Sequence, residues 1–269
     1  MIPPRKELMF LGNKLWNVTI PTLAESLDMC RQESNFPLPV TAAYTLEQLA
    51  SLNQHLIHLT LQEAVHALFP LVERRCTAIY KSTFLEDLSL FVLRLRLKSR
   101  DLYSHSLHVL HITCIFTELL HLPAELSAGI KIAALFHDVG KIHISDELLQ
   151  KPSHLTSREF QEMKKHCAHG ASMLLHIKPL REVVPMVLHH HERWDGRGYP
   201  TGLQGRAIPL GARIIATADA FAVMTSERTY HTPFSIVQAM NELSRCAGTQ
   251  FDPLLVEHFC TCLATVELD

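Results

Sequence analysis

Apolar residues recur at spacings of three and four along most of this chain, and strict alternation of apolar with polar residues is scarce. Side chains three and four apart share a helical face, whereas strands need a period of two. The pattern therefore predicts an all-α fold, a helical bundle with a smaller, helical N-terminal region. Hydrophobic residues fill 47% of the 269 positions, enough for the core of one large domain or two modest ones. The boundary is expected between Lys81 and Arg100, dividing the chain into residues 1–95 and 96–269.

Capping signals set the expected helices. Thr45 and Gln48 open a segment that Pro70 interrupts, and another runs from Thr83 to Lys98. Tyr103–Leu120 follows, with Val109, Ile112, Phe116 and Leu119 on its apolar face, then Ala128–Phe136, ending near Gly140. Thr156 and Glu159 form a capping box for a helix running to about Ile177, and Val183–His191 is a fourth. A long Gly-rich loop spans Glu192–Pro209, and loops of that length in a compact domain usually carry function. Helices resume at Leu210–Ser226, Pro233–Cys246 and Pro253–Val266.

Charge narrows the partners. Lys and Arg number 25 against 27 Asp and Glu, a net charge of -2, so no broad field would hold DNA or an anionic membrane. An anionic substrate would need local charge. No stretch is long and apolar enough for a membrane span, and Met1–Phe10, with Pro3 and Pro4, does not read as a signal peptide. The 7 Cys are odd in number and form no Cys-x-x-Cys pair, which suits reduced thiols and a cytoplasmic location.

The 18 His are the unusual number, and several sit beside Asp. In AALFHDVGK, His137 and Asp138 stand where a buried helix gives way to a Gly turn. Imidazole nitrogen and carboxylate oxygen are the usual ligands of iron, manganese and zinc, and one carboxylate can bridge two ions. An isolated His-Asp pair is weak evidence, since two common polar residues often fall together. In LHHHERWDGRGYP, His190 and His191 end an apolar helix, where unpaired imidazoles lose hydration without return, while His189 reads as a surface or supporting residue. Asp101 lies one turn before His105, able either to ligate beside it or to cap the helix. His166 and His169 share the helix that Thr156 opens, and His108 and His111 read as packing or surface residues. Asp219 sits mid-helix in the apolar string RIIATADAFAVM, where a buried carboxylate calls for a cation.

The ordered set HDVGK, KKHCAHGA, HHERWDGRGYP and ATADAFAVMTSERTY resembles the HD-GYP domains, a bacterial subgroup of the HD superfamily of metal-dependent phosphohydrolases. The resemblance covers about Arg100 to Leu263, and its long signature runs unbroken from His190 to Pro200. It implies a cyclic dinucleotide phosphodiesterase that hydrolyses cyclic di-GMP to linear pGpG or GMP by attack of a metal-bridged hydroxide. Position by position, it implies one ion on His105, His137, Asp138 and Asp219 and a second on His166, His190 and His191, with Asp138 bridging. Iron or manganese is the implied metal. At Asp101 three-metal members carry Glu, one methylene longer, which argues against a third ion.

Further roles follow from the same resemblance. Lys141 supplies a cation at the phosphate, and Arg228 and His231 line the substrate side, His231 standing where members often carry Lys; Tyr199, read from the loop's own chemistry, either stacks on a guanine or holds the loop. Gly196 and Gly198 permit a sharp turn in a loop that docks partners such as diguanylate cyclases. Ala222 replaces a second Asp found in many members. By analogy, residues 1–95 regulate the domain or make a homodimer. Other readings stay open: a catalytically weak signalling or docking module, a phosphodiesterase for cyclic GMP-AMP, an HD-type hydrolase for mononucleotides or alarmones, and a His-rich metal store.

Overall fold

The computed structural model describes residues 88, 90–226 and 232–266. The expected helix from Thr45, and the positions Arg228 and His231, lie outside the described residues. Residues 90–98 form α1, followed by α2 (Arg100–Leu119) and α3 (Ala124–Phe136). A 3-10 turn (Val139–His143) leads to the short α4 (Asp146–Leu149) and to α5 (Ser157–Leu175). Then come α6 (Val184–Leu188), α7 (Leu210–Thr225), α8 (Ile236–Cys246) and α9 (Pro253–Val266). The fold is all-α as expected, with a single isolated bridge between Ala247 and Phe251 among the described residues.

The core forms where α2, α3 and α7 pack on one another, with α9 laid against α2, α7 and α8. Phe116, Phe221 and Phe259 join the helices there, with ring centroids 4.6 Å apart for Phe116–Phe259 and 5.2 Å for Phe221–Phe259. Helix α1 belongs to the same core, because Leu88, Val92 and Leu95 are fully buried and Phe91 meets Phe136 edge-on at 6.1 Å. Lys98 ties α1 to the turn after α3 through the Ile144 carbonyl (2.6 Å) and Asp146 (2.6 Å).

Helix ends follow local hydrogen bonding, and several differ from the expected ones. Ser99 caps α2, its hydroxyl accepting from the Leu102 amide, so the helix starts at Arg100 and Asp101 is not its cap. Helix α3 begins right after Pro123, four residues before the expected Ala128. The Thr156–Glu159 capping box forms in full, and α5 ends at Leu175, before Ile177. Ser235 and Gln238 make a second box, which starts α8 at Ile236 and leaves Pro233 outside. Helix α6 stops at Leu188, because the backbone turns away at His189. His190 and His191 therefore sit in a turn and not at a helix end, free to aim sideways into the bundle.

Candidate metal centre

Four strands of chain converge on Asp138. It follows His137, the C-cap of α3, and opens the 3-10 turn. Gly140 makes that convergence feasible: a Cβ there would lie 1.9 Å from the His166 carbonyl oxygen and 2.5 Å from the Gly170 nitrogen. Only a residue without a side chain lets the turn lie against α5 and bring Asp138 to His166. Helix α2 supplies His105, α7 supplies Asp219, and the turn after α6 supplies His190 and His191.

The two oxygens of Asp138 face different partners. Oδ2 lies 3.3 Å from His137 Nε2, 3.8 Å from His105 Nε2 and 2.5 Å from Lys141 Nζ. Oδ1 lies 3.3 Å from His166 Nε2 and 3.9 Å from His190 Nε2. Asp219 Oδ1 stands 3.0 Å from His105 Nε2, on the Oδ2 side. His191 packs on His190 (centroids 4.1 Å) and His166 (5.1 Å), on the Oδ1 side. The expected ligands thus gather into two groups on either side of one carboxylate.

Their tautomers are set by their own helices. Nδ1 of His137, His166 and His190 lies 2.7 Å from the carbonyl three residues earlier, of Ala134, Met163 and Val187 respectively. A carbonyl can only accept, so each Nδ1 carries a proton and each Nε2 is the nitrogen turned to the centre, with a bare lone pair wherever the imidazole is neutral. Backbone support of this kind is what orients metal-bound imidazoles.

Electrostatics point the same way. Burial, reinforced by neighbouring imidazoles, holds the pKa of His190 well below its usual value and that of His191 down to about 4. Burial also lowers His166, although Asp138 opposes it. For His137, burial is outweighed by the charges of Asp138 and Asp219, and the pKa rises. Asp138 and Asp219 stay ionised despite burial, Asp138 through Lys141 and His137, Asp219 through its hydrogen bond and charge interaction with His105.

The nitrogens of His166, His190 and His191, kept neutral by burial, stand beside buried carboxylates and leave the cluster short of donors. His137 Nε2 and Asp138 Oδ1 are buried without a hydrogen-bond partner. Divalent cations would satisfy both, so the residues fit metal ions. His105, His137 and Asp138 form one group with ligand atoms near enough to share an ion, and His166, Cys167, His190 and His191 form another.

Other expected residues are placed as follows. Asp101 is exposed on α2, a turn away from His105 and outside both groups. Tyr199 is half-buried with its ring 4.8 Å from that of His191, and Lys164 Nζ lies 5.1 Å from the Tyr199 ring. His169 faces His143, at 5.3 Å, instead of the centre. His108 is buried and donates from Nδ1 to Ser226 Oγ (2.8 Å), which itself donates to the Ala222 carbonyl (2.6 Å). Ala222 is fully buried in the apolar core.

Sequence reasoning passed over two residues. Glu192 is the acceptor around which the Gly-rich loop folds: it receives Thr201 N (2.8 Å), Thr201 Oγ1 (2.7 Å), Gly202 N (3.0 Å) and Leu203 N (3.1 Å). Gly196 has φ +78, the left-handed turn expected of it, whereas Gly198 is required by crowding, because a Cβ would lie 2.3 Å from the Arg193 nitrogen. The second residue is Cys167, buried with its sulfur 3.5 Å from His166 Nε2. Its signal was adjacency to His166 in KKHCAHGA.

A helical bundle with two imidazole groups astride one aspartate defines the class of metal-dependent HD proteins. A family profile described as HD domain matches residues 89–255. The chain belongs to the HD domain family, in its HD-GYP branch. It is 42% identical over 132 residues to a cyclic di-GMP phosphodiesterase of Thermotoga maritima, covering 48% of this chain and 36% of that protein. It is 36% identical over 191 residues to a cyclic di-GMP phosphodiesterase of Pseudomonas aeruginosa, covering 67% and 46%. A 3'3'-cGAMP-specific phosphodiesterase of Vibrio cholerae is 39% identical over 155 residues, 56% and 30% of the two chains. The chain thus spans less than half the length of these relatives. An HD-GYP-type protein of Bdellovibrio bacteriovorus shares the fold, with a TM-score of 0.52 at 15% identity over 88% of this chain and 78% of that one. No described helix is long and apolar enough to cross a membrane.

Proposed function

We propose that this chain is a metal-dependent phosphodiesterase that opens a cyclic dinucleotide, cyclic di-GMP in the first place. The observation that carries the reading is the division of Asp138, with one oxygen toward His105 and His137 and the other toward His166 and His190. A pair of ions is what such a divided carboxylate suits. His105, His137, Asp138 and Asp219 would hold the first, and His166, His190, His191 and Asp138 the second. Iron and manganese suit this mix of imidazole and carboxylate. When bound, the ions supply Lewis acidity, which polarises a phosphoryl group and makes water acidic at neutral pH.

The protein's own groups do the rest. The carbonyls of Ala134, Met163 and Val187 hold three imidazoles in one tautomer and orientation. Lys141, whose ammonium pairs with Asp138 at 2.5 Å, is the cation that would turn to a non-bridging phosphate oxygen as charge develops there. Tyr199, stacked against His191, offers a flat face for a guanine. Arg228 and His231 complete the substrate side in this reading. The loop from Glu192 to Pro209 is exposed enough to dock a partner such as a diguanylate cyclase, and residues 1–95 would regulate or dimerise the domain. A cytoplasmic location follows from the substrate class.

The test is hydrolysis. Anaerobically purified protein with iron or manganese is expected to convert cyclic di-GMP to pGpG or GMP, with about two ions per chain by elemental analysis. Metal-replete protein without turnover on any cyclic dinucleotide would sink the enzymatic reading. Cyclic GMP-AMP belongs in the same assay, because one of the similar Vibrio cholerae enzymes is specific for it.

A further inference from the structure

The second group of donors contains a sulfur. Cys167 follows His166 on α5 and is fully buried. Its Sγ lies 3.5 Å from His166 Nε2, and His166 Nε2 lies 3.4 Å from His190 Nε2. One ligand atom from each of His166, Cys167, His190 and His191 falls within 4.8 Å of every other. Donors that share an ion at the angles of about 90–120° of a five-donor set, with metal–nitrogen bonds of about 2.0–2.1 Å and a metal–sulfur bond of about 2.3 Å, stand about 2.9–3.8 Å apart. Both measured separations lie in that range.

Without an ion the buried thiol can donate to His166 Nε2, so its direction suits a hydrogen bond in the empty site and ligation in the filled one. Nδ1 of His166 is committed to the Met163 carbonyl, so the nitrogen facing the sulfur carries only a lone pair. Asp138 Oδ1, buried and without a hydrogen-bond partner, is aimed into the same cluster from the other side, 3.3 Å from His166 Nε2. Two imidazole nitrogens and an orphaned carboxylate oxygen already surround the place to which the sulfur points.

We propose that Cys167 is a ligand of the second ion, alongside His166, His190 and His191. The inference rests on the two-ion reading above and deepens it. Binding exchanges the thiol proton for the metal, and the proton leaves to solvent, so the balance needs no oxidant or reductant. A thiolate makes the donor set around the second ion softer than the set of His105, His137, Asp138 and Asp219. Soft donors favour iron(II), cobalt(II) and zinc over manganese. The two halves of the centre would then differ in metal preference, with manganese the poorer fit beside Cys167.

Cobalt(II) reads this directly, because a bound thiolate gives a charge-transfer band in the near ultraviolet, while bound imidazole gives only the weaker visible bands. The full-length chain, freed of metal and loaded with cobalt(II) without oxygen, is expected to show both. Cys167→Ser and Cys167→Ala should lose the near-ultraviolet band and keep visible cobalt bands from the other ligands. Cys114→Ser, away from the centre, should keep both. Wild-type protein that binds cobalt without the sulfur band overturns the role of Cys167 and leaves the two-ion reading intact. Persistence of the band in Cys167→Ser also overturns it. Failure to bind any cobalt would bring down both. Circular dichroism of the variants separates lost ligation from lost fold, Cys167→Ser and Cys167→Ala giving two chances of a folded variant, and absence of the band from the wild type overturns the role by itself.

Discussion

Asp138 is the residue on which most of the centre's geometry turns. Its carboxylate is buried, ionised, and within 4 Å of four imidazoles and a lysine. Its replacement by Ala would leave the imidazole lone pairs with nothing between them and no bridge. Asp138→Ala is expected to lose most bound metal and all hydrolysis, checked by elemental analysis and product formation. Retained activity would refute the bridging role. Lys141 is a contrasting case, because in the structure it neutralises Asp138 without being buried itself. Lys141→Ala should keep its metal and lose rate by about 100-fold, the cost of one donor aimed at developing charge. Lost metal in that variant would make Lys141 a structural residue.

Elements meet the centre through close backbone contact. Gly140 lets the turn after α3 lie on α5, and any Cβ would strike the backbone of His166 and Gly170, neither of which can rotate away. Gly140→Ala should destabilise by about 3 kcal/mol and weaken metal binding together, since it separates Asp138 from His166. Denaturant midpoints with and without metal would show both effects, and a stable variant with normal metal content would refute the packing argument. The Gly-rich loop depends in the same way on Glu192. Glu192→Ala strips the amides of Thr201, Gly202 and Leu203 of their shared acceptor. The expected loss is about 3 kcal/mol, with protease cleavage appearing between residues 192 and 209. Arg213 and Asp252 lock the far end of that loop: Arg213 pairs with Asp252 in the interior and donates from Nε to the Ile208 carbonyl (3.0 Å).

Across the molecule, acid should unfold the metal-free protein through its buried histidines. His166, His190, His191 and His108 have pKa values lowered mainly by burial, His108 and His191 to about 4. As pH falls from about 6.5 toward about 4, the unfolded chain takes up protons that the folded chain refuses, and stability drops. His111 and His169 are lowered by burial as well, so His137, raised by its carboxylate neighbours, works in the opposite sense as one group against six. Urea midpoints of the metal-free protein should therefore fall between about pH 7 and about pH 5, with a shallower slope in His108→Leu. A midpoint independent of pH in that range would refute the account.

The sequence alone determined the helical class, because a period of three and four over a long chain admits little else. It also singled out the candidate ligands, because the spacing of HDVGK, KKHCAHGA and HHERWDGRGYP is a signature that survives without coordinates. Local chemistry was legible where it acts within one turn, as at the Thr156–Glu159 box, and failed where a competing local bond won. Ser99 took the cap that Asp101 was weighed for, and Ser235 took the start assigned to Pro233. The tertiary structure alone decided which oxygen of Asp138 meets which histidines, that Glu192 gathers the loop, and that the Cys167 sulfur turns toward His166. Those facts depend on how helices distant in sequence cross at Gly140. No periodicity encodes a crossing, because it is fixed by backbone contact between segments and not by the pattern within either one.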